Sequence, residues 1–273
     1  MANITATDVK KLRDLTGAGM MDCKKALTEA DGEMEKAVEI LRVKGAAKAA
    51  KRGAERQASA GLVASAGGAL VQLNSETDFV AKGEQLQQLA ASVAATADRT
   101  GSTDVPTLLT QTLDSGETVE EAVSSAAARI GEKIELGAVA YFEGPVTTYL
   151  HRRASDLPPA VGVLVAYEGE DSDGARAAAM QVAAMRPQYL SRDEVPEDVL
   201  AKEREIAEAT AREEGKPDKA LPRIIEGRLN GFLKDVALLE QPSVKESKKT
   251  VQAVLAESGV TITRFARLEV GQG

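Results

Sequence analysis

The chain has 273 residues, 43% hydrophobic and 28% charged, the balance of a folded globular protein with room for two or three domains. A formal net charge of -8 disfavours a broad nucleic-acid footprint, because phosphate neutralisation needs a concentrated Lys/Arg surface. No apolar run reaches the roughly 20 residues of a membrane span, and Met1 to Thr5 lack the basic start of a secretory signal, so cytoplasmic residence is expected.

Thr5 is a good N-cap with Asp8 three positions on, and Ile4 can staple against Val9, so a first helix is expected to run toward Thr16. Gly17-Ala18-Gly19 breaks it. Met20, Cys23, Leu27 and Ala30 then recur at helical spacing up to Gly32. Asp31 can cap a third helix with Met34, Val38 and Leu41 on one face, acidic at its start and basic at its end, as the helix dipole favours. Met20 and Met21 cannot share one helical face, so one of them is expected to be exposed. Three short helices have a marginal core, which suits a docking module. The Ala-rich stretch from Lys44 to Arg56 reads as a solvated linker helix in preference to a nucleic-acid patch.

From Ala60 the pattern changes. Leu62-Val63-Ala64 and Ala69 to Leu73 flank Ala66-Gly67-Gly68, a hairpin signal, and Asp78-Phe79 follows it at a turn. Aromatic residues make up only 3% of the chain, so a Phe at a polar turn stands out. It has two readings: a ring offered to a partner, or an Asp cap with the Phe packed beneath the next helix, and pattern alone favours the second. Leu86 to Val93 gives a helical stripe, Thr118-Val119-Glu120-Glu121 is a capping box, and Ile134 to Phe142 reads as a strand. Strands with helices on one face make an α+β layer.

A comparable order follows. Val146 to His151 and Val161 to Tyr167 read as strands, and Ala175 to Met185 as a helix ended before Pro187. Glu197 to Glu214, a turn at Gly215-Lys216-Pro217 and a helix through Gly227 toward Leu233, despite Pro222, form an antiparallel helical hairpin. Thr250 to Ser258 as a helix and Val260 to Val270 as a strand close a second α+β subdomain. The fold class expected is therefore α+β: an N-terminal three-helix domain (1–54), a core N-terminal subdomain (55–143) and a core C-terminal subdomain (144–273) with a helical-hairpin insertion at about 191–233.

Chemical machinery is sparse. No phosphate-binding Gly-rich loop of either common pattern occurs. One Cys, Cys23, and one His, His151, cannot make a zinc site with several Cys and His ligands. His151 has no nucleophile elbow to serve, so a hydrolase built around it has only that residue in its favour. No cofactor is expected, and a binding function is favoured over an enzyme.

Thr16 to Leu27 (T-G-A-G-M-M-D-C-K-K-A-L), Thr77-Asp78-Phe79-Val80, Glu226-Gly227-Arg228 and Phe265 to Gly271 resemble, in order along almost the whole chain, the bacterial elongation factor Ts family. The first two motifs are long and specific. The resemblance implies an N-terminal domain similar to ubiquitin-associated domains, two related core subdomains, and a guanine-nucleotide exchange factor for elongation factor Tu. It implies that Asp78 and Phe79, with Thr77 and Val80, enter between two helices of the GTPase domain near its magnesium, and that Arg13, Met20 and Met21 grip another helix of that domain. It points to His151, after Tyr149-Leu150, as a contact with the GTPase's third domain, although Arg152 to Pro159 departs from the family's shorter connection. Some members carry a further C-terminal helix that this chain, stopping at Gly273, is expected to lack. Neither nucleic acid nor membrane is an expected partner. A homodimer through 197–232 stays open, as does a non-exchange binding module using the three-helix domain alone.

Overall fold

The first turn of the chain follows from its cap. Asp8 N–H donates to Thr5 Oγ1 at 3.2 Å while Asp8 Oδ2 accepts from Thr5 N–H at 3.1 Å, a reciprocal pair that opens α1 (Ala6–Thr16). The computed structural model describes residues 4–16 and 18–271, with the backbone alone for 46–55. Gly17, part of the expected break, and the side chains of Lys48, Lys51 and Arg52 lie outside that description.

Helices α2 (Met20–Glu29) and α3 (Met34–Glu55) complete the N-terminal helical region. Val9, Leu12, Cys23, Ala26, Leu27, Ala30 and Ala37 form its buried core, with Ile4 packed against it. Asp31 does not cap α3. It adopts a left-handed conformation (φ 50), as does Gly32 (φ 86), and Gly32 N–H closes back on Leu27 O at 2.9 Å. Short polar Asp tolerates that region, so the Asp-Gly pair ends α2 rather than starting α3. The expected linker helix is also not separate: α3 runs unbroken for 22 residues and packs on a later helix, α7 (Val119–Ile130). That approach is close, since a Cβ on Gly45 would lie 3.1 Å from the Ala128 methyl.

Two compact units account for the chain. The first holds the described residues up to Tyr141, then Leu150–Val161 and those from Leu268 onward; the second holds Phe142–Tyr149 and Gly162–Arg267.

In the first unit, β1 (Ala60–Ala66) and β2 (Ala69–Ser75) form the expected hairpin, with Ala66 opposite Ala69. Gly67 turns it at φ 48, and the next amide, Gly68 N–H, donates to Asp98 Oδ1 at 2.7 Å. A Cβ at Gly67 would stand 2.3 Å from the Asp98 carboxylate, so only Gly fits. β3 (Ile134–Tyr141) pairs antiparallel with β2, which is therefore the central strand of order β1-β2-β3. The register slips between Gln72 and Leu73, leaving Gly137 unpaired, and beyond the slip Ser75 lies opposite Ile134. α5 (Glu84–Thr100) and α7 supply Ala90, Val93, Ala94, Ala97, Ala122 and Ala126, small residues that let helices sit close to Leu62, Val71 and Leu73 of the sheet. The Thr118–Glu121 capping box is present in full at the start of α7. Two short helices beyond the expected pair are α4 (Asp78–Lys82) and α6 (Val105–Leu109).

The second sheet has order β4-β5-β6, from Val146–Arg152, Pro159–Glu168 and Thr261–Glu269, and is antiparallel like the first. β5 reads as a continuous apolar run because it is the central strand, and Val163 and Val165 pack with Ala175, Ala178, Ala179 and Val182 of α8 (Ser172–Met185) and Leu255 of α11 (Val251–Glu257). Between them α9 (Glu197–Glu213) and α10 (Leu221–Val236) form the antiparallel hairpin. Pro222 is no obstacle: it stands in the first turn of α10, where its missing amide is not needed. Buried Gln181 secures the chain after the hairpin, donating to Gln241 Oε1 and Pro242 O at 3.1 Å each and accepting from Val244 N–H at 2.8 Å.

Candidate functional site

Phe79 is 85% exposed, although its neighbour Val80 is only 8% exposed and joins the core of the first sheet. Packing beneath the following helix, the reading that pattern favoured, is thus overturned. The reason is geometric. α4 has five residues and one buried side, occupied by Val80 and Ala81, and successive helical side chains point about 100° apart. The other three Phe, at 142, 232 and 265, are half-buried.

The turn before Phe79 is held tightly. Thr77 is the N-cap of α4, its Oγ1 accepting from Val80 N–H at 3.4 Å. The same hydroxyl donates to the Glu132 carboxylate at 2.9 Å, and Thr77 N–H donates to Glu132 Oε2 at 3.1 Å. Thr77 O accepts from Ser75 Oγ at 3.1 Å and from Ala81 N–H at 3.2 Å. Glu76 is nearly buried, its side chain 10% exposed; its carboxylate accepts from Lys133 N–H at 2.7 Å and pairs with Arg56 at 2.7 Å. At the far end of α4, Lys82 pairs with Asp156, whose carboxyl the Lys82 hydrogen bond holds below the usual carboxylate range.

Asp78 is exposed beside Phe79 and is not the cap, a role taken by Thr77. The four residues Thr77, Asp78, Phe79 and Val80 therefore divide their work: one caps, one anchors in the core, and an acid and an aromatic ring face solvent.

Arg13 lies exposed in the last turn of α1, and Met20 and Met21 in the first turn of α2. Both Met are exposed, at 59% and 64%, where only one was expected to be. The first residue that α2 contributes to the buried core is Cys23, so neither Met20 nor Met21 is part of it. Sequence reasoning missed two more apolar side chains of this region, Leu15 and Val43, which are 70% and 66% exposed. Both line an open groove beside α7. It also missed Glu132 and Glu76; their role is visible only once β2 and β3 are in register. His151 is exposed at the end of β4, in the segment of the first unit that also carries Asp156.

Among the described residues no group of three His, Cys, Asp or Glu could hold a metal ion, and no helix is long and apolar enough to cross a membrane. Cys23 is buried. The arrangement offers two exposed surfaces: an acid-ring pair on a hydrogen-bonded turn, and an edge of the N-terminal helices carrying Arg13, Met20 and Met21.

The family model described as "Elongation factor TS" matches residues 76–272, beginning at the Glu76 that anchors this turn. The chain is 66% identical over 271 residues to Elongation factor Ts of Nocardioides sp., covering 99% of this chain and 100% of that one. It is 60% identical to Elongation factor Ts of Mycobacterium avium over 276 residues, and 61% identical to that of Saccharopolyspora erythraea over 272, each covering both chains in full.

Proposed function

Because the chain belongs to the elongation factor Ts family, and so to the factors of translation elongation, we propose that it is a guanine-nucleotide exchange factor that binds elongation factor Tu·GDP and promotes GDP release so that GTP can bind. The single observation that supports this best is Phe79, a ring 85% exposed on a mount that is fixed on every other side. Exposure of one apolar side chain is ordinary; what directs this ring to a partner is its place in the T-D-F-V motif shared with the family, on a turn whose cap is held by Glu132.

The mechanism needs no covalent step. Magnesium demands near-octahedral oxygen ligands at about 2.0–2.1 Å, so a small displacement of the helices around it weakens its hold on the phosphates. Phe79 enters between two helices of the GTPase domain and Asp78 brings a carboxylate alongside. The GTPase state that accommodates the ring binds magnesium and GDP poorly. Each tenfold loss of nucleotide affinity requires about 1.4 kcal/mol of coupling, and nucleotide must weaken the factor's own binding by the same amount.

Arg13, Met20 and Met21 of the N-terminal helical domain, resembling ubiquitin-associated domains, grip a second helix of the GTPase domain; flexible Met side chains suit such a surface. His151 meets the third domain of the GTPase. This plan assigns residues 1–54 to docking and 55–143 to the wedge, with 144–273 carrying the second contact, all acting in the cytoplasm. Stopped-flow release of a fluorescent GDP analogue from cognate elongation factor Tu tests it. Acceleration that saturates with added protein is expected; release as slow as that of the GTPase alone would refute it.

A further inference from the structure

The exchange reading asks Phe79 to be in place before it meets the GTPase, and the residues that place it lie on another segment. Ser75 and Ile134 are the last pair of the β2–β3 ladder. Continuing the antiparallel register puts Glu76 opposite Lys133 and Thr77 opposite Glu132. Backbone pairing stops there, yet the exchange of bonds goes on through side chains. The Glu76 carboxylate takes the Lys133 amide at 2.7 Å, and the Glu132 carboxylate takes the Thr77 amide at 3.1 Å and the Thr77 hydroxyl at 2.9 Å. Gly131, left-handed at φ 84, ends α7 and frees Glu132 to face the turn.

We infer that Glu132, supported by Glu76, is a positioning residue for exchange: the two carboxylates form a reciprocal clamp that fixes the Thr77 cap and so pre-orders the exposed Phe79 for insertion. The inference rests on the wedge reading of Phe79. A ring on a loose turn would have to lose its freedom at the moment of insertion, which weakens the inserted state; a ring on a clamped turn has lost it on folding. The Glu132 carboxylate accepts from both Thr77 donors, the N–H and a hydroxyl shared between its two oxygens, and bonds to a charged acceptor are stronger than neutral ones. Their loss is expected to slow the maximal rate of GDP release about tenfold or more.

Glu132→Ala and Glu132→Gln test the clamp in the full chain against cognate elongation factor Tu. Glu132→Ala is expected to lower the maximal release rate, with Glu132→Gln, which keeps one acceptor oxygen and the side-chain volume, falling between it and the unsubstituted protein. In a Phe79→Ala background the Glu132→Ala change is expected to have no further effect, since a clamp has nothing to position once the ring is gone. An equal further loss in that background would mean that Glu132 acts elsewhere and would overturn the proposal. Amide hydrogen exchange of the isolated protein gives a readout that needs no GTPase: amides of residues 77–81 should exchange faster in Glu132→Ala while those of 69–75 keep their protection. Unchanged exchange at 77–81 overturns the clamp. If Phe79→Ala slows release and Glu132→Ala does not, the clamp falls and the wedge stands. If Phe79→Ala exchanges as fast as the unsubstituted protein, the wedge reading falls and the positioning role with it.

Discussion

Replacing Phe79 with Ala separates the partner-directed role from any role in the fold. The ring is 85% exposed, so its removal takes almost nothing from the core, and the stability change should stay within about 0.5 kcal/mol, as for surface substitutions generally. Inside the GTPase the ring would lose most of its contact with water. Burying about 150 Å² of aromatic surface at about 25 cal/mol per Å² stabilises the inserted state by about 4 kcal/mol. Ala retains roughly a quarter of that, leaving about 3 kcal/mol, or about a hundredfold in the stimulated rate of GDP release. The maximal rate in stopped-flow release of fluorescent GDP should fall by that order, with the thermal midpoint unchanged. A Phe79→Ala protein that releases GDP within twofold of the unsubstituted rate would refute the reasoning, because the ring is the large exposed apolar side chain of this turn.

Other outcomes follow from the same geometry. Met20→Ala with Met21→Ala should raise the concentration needed for half-maximal release several-fold and leave the maximal rate alone if, as proposed, these exposed side chains hold the partner away from its nucleotide site; titrated release kinetics measure both. Thr118→Ala removes the hydroxyl half of the α7 capping box and should cost about 1 kcal/mol, read as a lower denaturant midpoint at unchanged slope. The Arg192 guanidinium beside Glu240 holds that carboxyl below its ordinary value of 4.5, so this pair contributes stability above the unfolded-state value and loses it as pH falls through the lower folded value. Glu240→Gln should therefore lower the thermal midpoint at pH 7, and the gap to the unsubstituted protein should close at pH values well below 4.5.

The sequence was most legible where local chemistry decides structure. Ala66-Gly67-Gly68 announced the hairpin, and Thr118 with Glu121 announced the start of α7, because each rests on residues within four positions of one another. Asp31 misled for a related reason: Asp favours both an N-cap and a left-handed turn, and the following Gly32 decided for the turn. Pro222 looked like a breaker because its place in the helix was not known; in the first turn it is a starter. Phe79 was harder. Its exposure depends on α4 being only five residues long, with its single buried side already taken by Val80 and Ala81. Glu132 could not be found at all from spacing, since it meets Thr77 across 55 residues and only after the β2–β3 register is set by the slip near Gly137. Leu15 and Val43 were not singled out, because an apolar residue in a helix gives no sign of its exposure until the packing of that helix is known.

Calorimetric titration measures at equilibrium the proposed coupling between this protein and the nucleotide on its partner. The protein is titrated into elongation factor Tu freed of nucleotide and, separately, into the GDP- and magnesium-saturated form. Much tighter binding to the nucleotide-free form is expected, with the ratio of the two affinities equal to the factor by which saturating protein weakens GDP binding. Equal affinity for the two forms would contradict it.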